Sequence, residues 1–119
     1  MKKISDAKVE CLKKLLERVL KFRCKGFCAS CDFNTQISSI YMSIQDKNTF
    51  DNIIVFNFYY DNMEAKDIEK LIFKIINVLD EIKEKGRLKS VIKKLPIDRY
   101  GYVDIDKFVG GKIYTEEDK

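Results

Sequence analysis

Apolar residues along this chain repeat first at helical spacing, then at strand spacing, then at helical spacing again. Leu12, Leu15, Leu16 and Val19 recur at intervals of three and four, which gathers them on one face of a helix. Ser5 stands in the position of an N-cap, and Asp6 in the first turn suits the helix dipole. The pattern predicts a helix from about residue 6 to about residue 23, with Gly26 just beyond its end. In "QISSIYMSI" the period changes: Ile40, Met42 and Ile44 alternate with Tyr41 and Ser43, as in a half-buried strand. "NIIVFNFYYD" predicts a second strand. Ile54, Phe56, Phe58 and Tyr60 share one face, Ile53, Val55 and Tyr59 the other, and only Asn57 is polar. Apolar on both faces, it is expected to be central. The loop "QDKNTFD" between the two makes them an antiparallel hairpin.

Helical spacing returns with Ile68, Leu71, Ile72, Ile75, Leu79 and Ile82, preceded by Asp61 and Glu64 in the form of a capping box. A long helix is expected from about residue 63 to residue 85, stopped by Gly86. In "RLKSVIKKL", Leu88, Val91, Ile92 and Leu95 predict a short amphipathic helix ended by Pro96. Asp104 is placed to cap a single turn through Phe108, closed by Gly110 and Gly111. Residues 112–114 have the pattern of an edge strand, and 115–119 of a frayed end.

These elements predict an α+β fold in a single domain over residues 1–119: helix, β-hairpin, long helix, short helix and irregular tail, with a small antiparallel sheet covered by helices. The long helix is expected across one face of the sheet with the first helix beside it. Two strands are too few to stand alone, so a third strand from the tail, or a homodimer partner, is expected to complete the sheet.

Composition supports a chain that folds on its own core. Of its 119 residues 45% are hydrophobic and 35% charged, enough to need neither disulfide nor metal for stability. The N-terminal "MKKISDAKVECLKK" has basic residues without an apolar run behind them, and no stretch is apolar for long enough to span a bilayer. The expected location is the cytoplasm (a host's cytoplasm for a phage-encoded chain), with no membrane partner and thiols kept reduced.

The densest candidate chemistry is "RCKGFCASCDF", which holds Cys24, Cys28 and Cys31 as C-x₃-C-x₂-C. Three thiolates in one tight loop are a candidate zinc site. The chain has no His, so a fourth ligand would be Cys11, a carboxylate or water. Cys11 precedes Cys24 by thirteen positions, roughly 20 Å along a continuous helix, which sets it apart. The spacing of residues 24–31 also resembles the cluster motif of the radical S-adenosylmethionine enzymes. Here, however, Ser30 stands where that family usually has an aromatic residue, and the chain is too short for the family's barrel. The remaining readings are a disulfide, or three small soft side chains packing a crowded turn. The cofactor expectation is none, with zinc as the candidate if the thiols do gather.

Other catalytic signals are absent. Without His the usual general base near neutral pH is missing, and no nucleophile elbow, phosphate loop or dinucleotide fingerprint is found. "VGGK" is a turn, and "DIDK" a helix cap rather than part of a calcium loop. A non-enzymatic protein is expected.

Charge adds a direction. The net charge is +4, but residues 13–25 carry Lys13, Lys14, Arg18, Lys21, Arg23 and Lys25 against Glu17 alone. Residues 83–99 carry Lys83, Lys85, Arg87, Lys89, Lys93, Lys94 and Arg99 against Glu84 and Asp98. Lys13, Lys14, Lys21 and Lys25 fall opposite the Leu12/Leu15/Val19 stripe. With Arg87, Lys89, Lys93 and Lys94 they are the candidate residues for contact with nucleic acid or an acidic partner. The alternative is an ordinary solvated face. The expected function is a small non-enzymatic regulatory or adaptor protein that binds nucleic acid or a nucleic-acid-handling protein. Two alternatives stand beside it. One is a phage- or plasmid-encoded inhibitor of a host defence nuclease, anti-CRISPR-like and acting by protein–protein binding. The other is a metal- or redox-responsive protein centred on Cys24, Cys28 and Cys31.

Overall fold

The computed structural model describes residues 4–85 and 88–110. Helix α1 (Asp6–Lys21) begins as expected, the Ser5 hydroxyl accepting from the Lys8 N–H at 3.3 Å, and it buries Cys11, Leu12, Leu15 and Val19. It ends slightly earlier than the sequence suggested. Phe22 turns to extended backbone, and the Arg23 guanidinium donates to the carbonyls of Leu20 and Phe22 at 2.9 and 2.8 Å. Those bonds satisfy acceptors that a helix end leaves open.

Three strands follow, β1 (Phe27–Asn34), β2 (Ser39–Asp46) and β3 (Asn52–Tyr59), antiparallel and in that order across the sheet. The expected hairpin is thus a three-stranded meander. Its third strand comes from the cysteine segment and not from the tail, and β2 rather than β3 is central. Gly26, at φ +90°, turns the chain into β1. Asn34 closes the first hairpin, its side-chain oxygen accepting from the N–H groups of Gln36 and Ile37.

One sheet face is the core. Met42 sits between Cys31 and Phe56, Ile40 between Phe33 and Phe58, and Ile44 between Ala29 and Ile54. Across it lies α2 (Ala65–Lys85), burying Ile68, Leu71, Ile72, Ile75, Leu79 and Ile82. The expected cluster of Phe56, Phe58, Leu71 and Ile75 is fully buried. The start of α2 differs from the capping box expected at Asp61. Tyr60–Asn62 form a 3₁₀ turn, and the Glu64 carbonyl accepts from Asp67 and Ile68 at the start of the helix. On one flank of α2, α1 packs over β1. On the other lie α3 (Leu88–Lys93), which buries Val91, and α4 (Ile105–Val109), whose Phe108 ring is 5.1 Å from that of Phe56. Helix α4 is capped as expected: Asp104 accepts from the Lys107 N–H and Gly110 takes a left-handed φ of +85°.

The tail still serves the sheet, at its other edge. The Val55 N–H donates to the Gly101 carbonyl at 2.7 Å and the Val103 N–H to the Val55 carbonyl at 2.9 Å, so residues 101–103 cover the middle of β3. Gly101 is required there: at φ +91°, a Cβ would stand 2.6 Å from the Ile53 carbonyl oxygen. The stop at Gly86, Gly111, the strand expected at 112–114 and the frayed end at 115–119 lie outside the described residues.

Candidate functional site

A strand alternates sides at each residue, so two cysteines three positions apart on β1 must point to opposite faces. Cys31 is on the core face opposite Met42, and desolvation, with a smaller push from the Asp32 charge, raises its thiol to about 11. Cys28 is on the open face, its sulfur 3.8 Å from the Gln45 side-chain oxygen. Cys24 lies in the turn ahead of the strand, its thiol on the Lys25 carbonyl. Cys11 is buried between α1 and α2, where it donates to the Ala65 carbonyl at 3.7 Å, and desolvation raises its pKa. All four are free thiols. Among the described residues no group of three Cys, Asp or Glu side chains is placed to hold a metal. The tight loop expected around Cys24, Cys28 and Cys31 is instead a strand and its entry, and it does not bring the three sulfurs together.

The candidate basic residues divide. Lys13 pairs with Glu10 at 3.2 Å, Lys21 with Glu17 at 2.8 Å, Lys94 with Glu81 at 2.9 Å, and Arg18 with Asp80 on α2. Lys14, Lys25 and Lys93 are exposed. Arg87 and the side chain of Lys89 lie outside the described residues. Helical spacing and tertiary neighbours together have therefore folded much of the linear charge excess back onto acids of the same chain.

The structure gathers charge at a place the linear reading overlooked. Between α1 and α2 runs a groove of about 380 Å³, floored by Cys11, Ile72 and Ile76. Lys14 from α1 and Lys66, Lys70 and Glu69 from α2 form its rim, and Phe73 stands beside them, 64% exposed. Lys66 is 3.5 Å from Glu64, while among the described residues neither Lys14 nor Lys70 is paired with a carboxylate. Lys66, Lys70 and Phe73 sit at i, i+4 and i+7 and so share one stripe of α2. That spacing was visible in the sequence, but Glu64, Asp67 and Glu69 cancel the lysines in a linear tally.

The open face of the sheet has a different chemistry. Gln45 donates to the Asn52 side-chain oxygen at 3.0 Å, Asn52 donates to the Tyr41 hydroxyl at 3.2 Å, and Tyr41 and Tyr102 bond hydroxyl to hydroxyl at 3.1 Å. The bond to Tyr102, more than desolvation, pushes Tyr41 up to about 12. Ser30 and Ser43 pair at 2.9 Å, and no lysine or arginine of β1, β2 or β3 lies on this face.

No protein-family model matches the chain, and neither a curated protein nor a solved structure matches it. Among the described residues no helix is long and apolar enough to cross a membrane.

Proposed function

We propose that this is a small non-enzymatic regulatory or adaptor protein that receives an acidic partner in the groove between α1 and α2. The supporting observation is that Lys14 and Lys70, without carboxylate partners among the described residues, stand with Lys66 and the exposed Phe73 around an apolar floor. An apolar floor takes a side chain out of water, and a rim of net positive charge, three lysines against Glu69, attracts and orients the opposite charge. An acidic protein surface suits this arrangement better than a nucleic acid does. A phosphate backbone is held by many positive charges spread along its length, whereas this groove gathers three lysines beside Glu69 around an apolar floor. A nucleic-acid-handling protein that presents carboxylates fits the reading, and a defence nuclease is one such class. Four free thiols suit work in the reducing cytoplasm.

The test uses the full chain as bait in its native host, beside a Lys14→Glu/Lys70→Glu bait and a nuclease-treated arm. The partner should survive nuclease and be lost from the variant, with binding weaker by about tenfold or more. Equal capture by both baits refutes the reading, and loss on nuclease treatment moves it to nucleic acid.

A further inference from the structure

The groove between α1 and α2 does not end at Lys14. Cys11 in the first half of α1 meets the Ala65 carbonyl at the start of α2, and Arg18 meets Asp80 farther along both, so the two helices run the same way. Beyond that ion pair a second hollow of about 160 Å³ opens, with the buried Phe22 and Leu79 as its floor and Lys21 from α1 and Lys83 from α2 on its rim. Cys11, Lys14, Arg18 and Lys21 stand at i, i+3, i+7 and i+10, and Phe73, Ile76, Asp80 and Lys83 repeat those intervals, so both hollows lie on one side of the helix pair. Each end of this seam has one lysine of α1 and one of α2 at its rim, Lys14 with Lys70 and Lys21 with Lys83. Among the described residues Lys83, like Lys14 and Lys70, has no carboxylate partner, and the exposed pair of Lys21 with Glu17 is a weak one. Positive charge is in excess along the two hollows even after Glu69, Asp80, Glu17 and Glu64 are counted.

We propose that the partner enters this seam as an acidic amphipathic helix lying along α1 and α2, its apolar stripe over the two hollows and its carboxylates beside the lysines that rim them. This rests on the placement of an acidic partner in the groove, and it adds the partner's shape and the residues Lys21 and Lys83. A helix suits the seam for two reasons. It satisfies its own backbone, whereas an extended segment laid over an apolar floor leaves N–H and C=O groups without partners. Its length also fits. Lys14 to Lys21 is seven residues of α1, roughly 10 Å, and Lys70 to Lys83 is thirteen of α2, roughly 20 Å, so about two to four turns of a third helix reach from one hollow to the other. Apolar anchors repeated at helical spacing are how a groove of this kind recognises a helix.

The probe is a fluorescein-labelled peptide of glutamate, leucine and alanine, about 18 residues long, with its leucines on one helical face and its glutamates flanking them. Its fluorescence anisotropy with the full chain is compared with that of a peptide of the same composition in scrambled order and of one broken by a central proline. The amphipathic peptide should bind about tenfold or more tightly than either control, and its binding should weaken as salt is raised. Lys21→Gln/Lys83→Gln should weaken it by about fivefold, as should Lys14→Gln/Lys70→Gln, with the circular dichroism of the chain unchanged. Equal binding of the scrambled or the proline peptide overturns the proposal, while loss of the captured partner from the Lys14→Glu/Lys70→Glu bait would still support the groove. Indifference to Lys21→Gln/Lys83→Gln confines the site to the first hollow and overturns the proposal too. So does binding of none of the peptides, and so does binding that arises only after Glu116, Glu117 and Asp118 are replaced with glutamine, which would give the seam to the chain's own acidic residues.

Discussion

Replacing Gly101 with alanine tests how the tail closes the sheet. At φ +91° an L-residue is strained by about 1–2 kcal/mol, whatever surrounds it. The new Cβ would also stand 2.6 Å from the Ile53 carbonyl oxygen, a backbone atom that no rotamer change can move. Residues 101–103 must then retreat from β3. That breaks the Val55–Gly101 and Val103–Val55 hydrogen bonds, worth about 0.5–1.5 kcal/mol each, and uncovers Val55, which is fully buried. The expected loss is about 3–5 kcal/mol. Gly26→Ala is the control: its φ is +90°, but nothing lies within 4 Å of the added Cβ, so only the strain of about 1–2 kcal/mol applies. Urea unfolding measures both. Gly101→Ala should lose about 2 kcal/mol or more beyond Gly26→Ala, and its Val55 amide should exchange faster in the native state. Equal losses would show that the approach of the tail to Ile53 contributes nothing, and the reasoning would fail.

Phe56→Ala and Ile75→Ala each empty a fully buried site and should cost about 2–5 kcal/mol by chemical unfolding, with unchanged midpoints refuting their placement. Cys31, raised to about 11 and turned into the core, should be alkylated at pH 8 far more slowly than Cys28 on the open face; peptide-resolved labelling with iodoacetamide measures this, and equal rates would put the two thiols on one side of the strand. Tyr41 ionises near 12 in the fold and near 10 when unfolded. The protonated form is therefore favoured by folding, and its contribution is complete below pH 10 and lost as pH rises from 10 through 12. Removing the largest cause with Tyr102→Phe should bring the phenol titration at 295 nm to lower pH and flatten that alkaline loss; an unmoved titration would mean that the Tyr41–Tyr102 bond is not formed.

Long apolar stripes made α1 and α2 legible, because each presents a period that no strand reproduces. Helix α4 was legible through two residues, Asp104 and Gly110, whose roles as cap and stop are local. Strand β1 was not legible. Its Phe27, Ala29, Cys31 and Phe33 do alternate with Cys28, Ser30, Asp32 and Asn34, but Ala, Ser and Cys are too small and too alike to mark a period, and the cysteine spacing pointed to a loop. The position of β3 was misjudged for a related reason. Val55 is fully buried and its backbone pairs with residues 101–103, 46 positions away at Gly101, which sequence periodicity cannot register. The basic residues were all visible, but which of them stay unpaired depends on tertiary neighbours such as Asp80 and Glu81. The groove needed two helices to be laid side by side before Lys14 met Lys66 and Lys70.

The side of the molecule that meets the partner decides between the α1–α2 groove and the open face of the sheet. Isotope-labelled protein titrated with the captured partner, and followed by amide chemical shifts, measures this directly. With the partner in the groove, the shifts centre on Lys14, Lys70, Phe73 and Ile76 and shrink as salt is raised. Shifts centred instead on Cys28, Tyr41, Gln45 and Tyr102, on the open face of the sheet, would contradict it.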